Sequence, residues 1–100
     1  MAIVAVSVAP LGTGSTSISS YVARAEKILR EDGRVKYQLT PMFTTLEGNL
    51  DDCLDVIRKM HESVFGMGAK RVSTVIKIDD RRDKTVTMED KIRSVEEKLT

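Results

Sequence analysis

The run Ile3-Val4-Ala5-Val6-Ser7-Val8-Ala9 is apolar apart from one hydroxyl, is rich in β-branched residues and stops at Pro10. Such a run reads as a strand buried on both faces. A Gly/Ser/Thr loop from Leu11 to Thr16 follows, and the apolar period then lengthens to that of a helix. Ile18, Tyr21, Val22, Ala25, Ile28 and Leu29 fall on one face of a helix that Thr16 or Ser17 can cap and that Gly33 can end in a left-handed conformation. Val35 to Thr40 and Met42 to Glu47 read as a second and third strand, with Pro41 at their junction, where a missing N–H does least harm. Asn49 is placed to cap a second helix, and Asp51 and Asp52 sit in its positive first turn. The predicted stripe of that helix is Leu50, Cys53, Leu54, Ile57, His61, Val64 and Phe65, with Gly66 and Gly68 at its end. From Arg71 to Asp79 the period returns to two: Val72, Thr74, Ile76 and Ile78 share one face, and Ser73, Val75 and Lys77 the other. Beyond a charged loop, Thr87 and Asp90 have capping-box spacing, and Met88, Ile92, Val95 and Leu99 form the apolar face of a last helix.

The order β-α-β-β-α-β plus a short helix predicts an α+β, ferredoxin-like domain over residues 1–100. Right-handed crossovers then dictate an antiparallel sheet in the order 4-1-3-2, with both long helices on one face. The first and third strands become central neighbours. If Val4, Val6 and Val8 face the helices, Ile3, Ala5, Ser7 and Ala9 face away, with Val75 beside them. That second face lacks the polar alternation of a solvated sheet, which predicts that another subunit covers it. The edges at Val35–Thr40 and Arg71–Asp79 offer a second route to self-association. A homodimer or homotetramer is expected.

Composition narrows the function classes. The chain has 100 residues, 41% hydrophobic, 31% charged and 4% aromatic, with no Trp and a net charge of +1. A domain of that size buries roughly 65% of its unfolded surface. The charge provides no field for nucleic acid or an anionic membrane, and the few aromatics provide no stacking platform. No nucleic-acid or membrane partner is therefore expected. The apolar amino terminus has no basic segment ahead of it, so the expectation is a cytoplasmic protein without a signal peptide. Cys53, the sole cysteine, lies on a helix stripe and reads as a small buried hydrophobe. His61 is the sole histidine, which excludes a multi-histidine metal site.

The candidate chemistry is that of binding. Glu47 ends a central strand in a segment suited to burial, where a carboxylate could receive an amine-bearing or cationic ligand; the alternative is a solvated or Arg-paired strand end. Ser7, Thr44 and Thr45 carry hydroxyls on central strands, able to donate and accept at a ligand ring or simply to bond to backbone. Phe43 and Tyr37 could offer flat faces to a heteroaromatic ring, or serve as packing. Gly12-Thr13-Gly14-Ser15 follows a strand and precedes a helix, but it lacks the Gly-Lys-Ser/Thr ending of a phosphate loop. Arg81 and Arg82 could take an anion or a subunit, or belong to a solvated loop. One histidine and no hydrolase-like carboxylate spacing leave no catalytic set, so no enzyme is expected.

The chain resembles the thiamine-binding protein family, relatives of the YkoF-like proteins. The resemblance spans essentially the whole chain. It is carried by Val6-Ser7-Val8-Ala9-Pro10-Leu11-Gly12, by Ser19-Ser20-Tyr21-Val22, by Pro41 to Gly48 with its Thr44-x-x-Glu47-Gly48 element, and by Arg71 to Asp79 followed by Arg81. It implies ferredoxin-like subunits in dimers or tetramers that bind thiamine or its hydroxymethylpyrimidine half near subunit interfaces. Ser7, Thr44 and Glu47 would be the polar contacts. Phe43 stands where the family often has Gly or Asn, so its ring either stacks on the pyrimidine or fills the pocket. Thiamine or the pyrimidine would be the bound ligand, with no other cofactor. The rival reading is a ligand-responsive regulatory or scaffold protein whose output is a protein–protein contact.

Overall fold

The computed structural model describes residues 1–99. Its elements are β1 (Ala2–Pro10), α1 (Ser19–Asp32), β2 (Lys36–Leu39), β3 (Thr44–Gly48), α2 (Leu50–Phe65), β4 (Val72–Asp80) and α3 (Met88–Lys98). The strands form one antiparallel sheet in the order β2-β3-β1-β4, the expected 4-1-3-2 order read from the other edge. Val6 pairs with Thr44 and with Ile76, and Ile3 pairs with Glu47 and with Asp79. The ferredoxin-like α+β fold is thus present.

β1 alternates strictly between buried and half-buried residues, so Val4, Val6 and Val8 enter the core while Ile3, Ala5, Ser7 and Ala9 face away. Leu29 and Ala25 of α1 and Cys53, Val56, Ile57, Met60 and Val64 of α2 close the core over that sheet face. Two details depart from the sequence reading. Val56 and Met60 complete the stripe of α2, whereas Leu54 and Phe65 stay on its exposed border, because the helix turns a different part of its apolar arc to the sheet. At the start of α1 neither Thr16 nor Ser17 caps; Ile18 occupies the cap without a side-chain bond, and Ser17 turns back on Ser15 instead. Other boundaries obey local chemistry. Gly33 ends α1 at φ 74°, and Asn49 accepts from the Asp51 amide. Gly66 is still helical, and the left-handed residue is Gly68 at φ 97°.

α3 returns across the second sheet face. Lys36, Glu47, Ile3 and Asp79 form one row of paired residues across the sheet. The Met88 amide donates to Glu47 Oε1 at 2.7 Å, Lys36 meets Glu89, and Lys91 meets Asp79. The Thr87–Asp90 capping box forms as expected. The second face, expected to be left to another subunit, is crossed at the Glu47 row by the chain's own last helix, which no local pattern announces.

A charged cluster ties α1, the β2 approach and α2 together. Arg34 bridges Asp32 at 2.8 Å, Asp55 at 2.6 Å and Asp52 at 3.4 Å, with Lys59 nearby. Hydrogen bonding to Arg34 holds the Asp32 carboxyl down at about 2, from an ordinary 3.8, and lowers Asp55 as well. A carboxylate whose pKa is lower folded than unfolded stabilises the fold above its unfolded value, and that contribution disappears as pH falls towards the folded value. Stability is expected to be level above about pH 5 and to decline between about pH 4 and pH 2. Urea unfolding across this window should show a shallower decline in Arg34→Met.

Candidate functional site

The β2–β3 hairpin overhangs the helix-covered face of the sheet and leaves a cavity beneath it. The turn at its tip is tied within itself. Thr40 N and Thr40 Oγ1 both donate to the Phe43 carbonyl, and the Phe43 amide donates back to Thr40 Oγ1. This closure sets the start of β3 at Thr44, so Met42 and Phe43 lie in the turn rather than in the strand expected to begin at Met42. The cavity is about 110 Å³ in volume, with Val6, Val8, Val22, Ala25 and Met60 as apolar walls. Ser7, Phe43, Thr44 and Glu26 also line it. Ser7 lies on the opposite side of β1 from Val6 and Val8 and borders the cavity one residue past the Val6–Thr44 pair. A wider groove bounded by Ser17, Ile18, Ser19, Leu39, Thr40 and Pro41 continues outwards from it.

Thr44 and Glu26 form its polar centre. Thr44 is buried, and its hydroxyl donates to Glu26 Oε1. The other oxygen, Glu26 Oε2, is the one buried side-chain polar atom, among the described residues, without a hydrogen-bond partner. Glu26 escaped the sequence reading because it stands amid the charges of Arg24-Ala25-Glu26-Lys27. A signal was present: Val22, Glu26 and Leu29 are spaced as one helix stripe, which puts a carboxylate on the core side of α1.

Of the five residues singled out from sequence, Ser7, Phe43 and Thr44 therefore come together. Tyr37 and Glu47 do not join them. Tyr37 pairs with Leu46 on β3 and packs half-buried against the core. Glu47 is on the other sheet face, 7% exposed, where its Oε1 accepts the α3 amide. Thr45 shares that face with Ala5. Cys53 is fully buried, and burial pushes its thiol above the usual range, so it is no nucleophile at rest. His61 Nδ1 meets Thr74 Oγ1 at 2.6 Å between α2 and β4, and its ring edge meets Phe65. Arg81 and Arg82 are each held by a neighbouring aspartate, Asp83 and Asp80. Among the described residues no group of His, Cys, Asp and Glu side chains is assembled to hold a metal, and no helix is long and apolar enough to cross a membrane.

A cavity with a buried carboxylate and hydroxyl inside apolar walls, on a four-stranded ferredoxin-like scaffold, coincides with a family match. The sequence model described as thiamine-binding protein matches residues 4–96. The chain belongs to the thiamine-binding protein family. Its relatives include the UPF0045 protein YqgV of Bacillus subtilis, 51% identical over 102 residues, which cover 99% of this chain and 98% of that one. Among solved structures it is similar to protein MJ1052 of Methanocaldococcus jannaschii, with a TM-score of 0.86 and 37% identity over 96% of this chain and 97% of the other. A Bacillus cereus domain of unknown function, DUF77, follows at TM-score 0.81 and 34% identity, covering 91% of this chain and 86% of that one. Family membership indicates a binding role related to thiamine.

Proposed function

We propose that the chain is a non-enzymatic binding protein for thiamine or its hydroxymethylpyrimidine moiety. In this reading it acts as a homo-oligomer, and the pyrimidine enters the cavity beneath the β2–β3 hairpin. The observation that carries it is the joining of Thr44 and Glu26 to apolar walls in one small cavity. An aminopyrimidine needs polar partners at its edge and apolar contact on its faces. Pockets for whole drug-sized ligands run from about 300 to 1,000 Å³. A volume of about 110 Å³ suits a single ring. The thiazolium half would then lie in the outer groove past Thr40 and Pro41, with Phe43 at the threshold between them.

Self-association has its own support. Val95 on α3 and Leu99 at its C-cap are 60% and 77% exposed, and Val75 on the second sheet face is 52% exposed. Apolar side chains gathered on one side of a small domain mark an interaction surface. Binding pockets near subunit interfaces follow if such a contact reaches the hairpin.

Isothermal titration with thiamine and with hydroxymethylpyrimidine, on protein of known sedimenting mass, tests the reading. Saturable binding of the pyrimidine is expected, about one per subunit. Thr44→Val keeps the side-chain shape but removes the donor to Glu26. A hydrogen bond to a charged group contributes about 1.5–3 kcal/mol, so affinity is expected to drop roughly tenfold or more. An unchanged affinity in Thr44→Val would place the ligand elsewhere, and no binding of either compound to the wild type would sink the proposal.

A further inference from the structure

We infer that Glu26 sets the chemical specificity of the hairpin cavity, selecting a ligand edge that presents N–H donors, of the 4-aminopyrimidine or amidinium type, and rejecting the corresponding oxo compound. The inference rests on the binding reading above and narrows it. Its basis is the division of labour between the two oxygens of one carboxylate. Oε1 is engaged by the Thr44 hydroxyl, which also fixes the rotation of the carboxylate. Oε2 is buried in the same space without a partner. A carboxylate that already accepts a proton donor at Oε1 has only acceptor capacity left at Oε2. A buried acceptor left bare is costly, so a ligand that supplies a donor there recovers that cost.

No protein group donates to Oε2: the Ser7 hydroxyl lines the same cavity but makes no hydrogen bond to Glu26. Lys27, the neighbouring cation on α1, is paired with Glu31 rather than with Glu26. The hairpin tip spends its own polar groups internally, between Thr40 and Phe43. The walls are aliphatic or thioether side chains: Val6, Val8, Val22 and Met60. An exocyclic amino group on a flat ring can place an N–H on Oε2 while its faces rest on these walls. If the adjacent ring nitrogen carries a proton, the ligand edge is cationic and the hydrogen bond to the carboxylate is charge-assisted. A 4-oxo ring keeps an N–H only at its ring nitrogen and sets its carbonyl lone pair towards the carboxylate, so it loses the exocyclic donor and is disfavoured. Sites built around a polar partner reject analogues lacking it far more sharply than apolar pockets reject a change of size. Thr44 is the positioning residue here, and Glu26 is the group that touches the ligand.

The test is a titration panel on wild type and Glu26→Gln. The panel holds 4-amino-5-hydroxymethyl-2-methylpyrimidine, its 4-oxo analogue, and acetamidinium chloride as a simple amidinium. Wild type is expected to prefer the amino over the oxo compound by at least about 100-fold. Glu26→Gln is expected to weaken the amino compound by at least about 50-fold and to shrink the amino/oxo ratio, since its amide can offer a donor to the carbonyl. Its melting temperature should stay close to that of the wild type, because the amide keeps a carbonyl oxygen for the Thr44 hydroxyl; a variant that fails to fold leaves the wild-type amino/oxo ratio as the deciding number. If the amino compound binds wild type and Glu26→Gln alike, or wild type does not discriminate against the oxo compound, the inference falls and the binding reading stands. If only acetamidinium binds, and does so through Glu26, while thiamine gives no heat, the inference stands and the thiamine reading falls. If nothing in the panel binds, the inference falls, and the binding reading falls with it when thiamine also gives no heat.

Discussion

Leu46→Ala is expected to remove a large part of the fold's stability. Leu46 is 0% exposed on β3, paired across the sheet with Val4 on one side and Tyr37 on the other, and it belongs to the hydrophobic core cluster. Truncating a fully buried leucine costs about 2–5 kcal/mol, from lost transfer energy plus the cavity left behind. A small domain has only about 5–15 kcal/mol in total. Each kcal/mol moves the melting temperature of a domain this size by about 4–8 °C, so a fall of at least about 8 °C is expected. Urea unfolding gives the free energy directly. Leu54→Ala is the natural comparison: it deletes the same atoms from a residue 38% exposed on α2 and should lose markedly less. Equal losses from the two would mean that the core does not sit where Leu46 places it.

That contrast also shows what the chain discloses locally and what it does not. Strand and helix periods, the left-handed Gly33, the Asn49 cap and the Thr87–Asp90 box are consequences of nearby residues, and all are visible before any folding. The sheet order follows from element order and crossover handedness. Leu54 and Val56 are harder. Each lies within reach of an apolar arc, and which one is buried depends on how far α2 rolls against the sheet, a property of the docked pair. The candidate site divides in the same way. Thr44, Phe43 and Ser7 were legible because they cluster at the ends of paired strands. Glu26 lies eighteen residues from its partner Thr44, on another element, and its local surroundings resemble any solvated helix face. Glu47 drew attention for a sound reason, a carboxylate in a segment too apolar to be solvated. What it meets, forty-one residues on, is a helix amide.

Glu47 is expected to govern the attachment of α3. Its Oε1 takes the Met88 N–H, one of the first-turn donors that a helix cannot satisfy within itself. A carboxylate there also faces the positive end of the helix dipole. Around this contact α3 buries Met88 but leaves Ile92 and Val95 about half exposed, so its hold on the sheet is concentrated at its first turn and at the Lys36–Glu89 and Lys91–Asp79 pairs. Exposed pairs of that kind contribute about 0–1 kcal/mol each. Removing the carboxylate in Glu47→Ala strips the buried amide of its acceptor and should cost about 2–4 kcal/mol, combining a charged hydrogen bond with the dipole contribution. Glu47→Gln keeps a carbonyl oxygen for the amide and loses only the charge, so it should cost about 0.3–1 kcal/mol. Hydrogen exchange separates the roles. Amides of 88–98 should exchange much faster in Glu47→Ala and only slightly faster in Glu47→Gln, while the β1 and β3 amides keep their order of protection. Were exchange in α3 to stay unchanged in Glu47→Ala while hydroxymethylpyrimidine affinity fell, Glu47 would be a ligand contact, as the sequence suggests, and the α3 amide would owe its position to the helix–sheet packing alone.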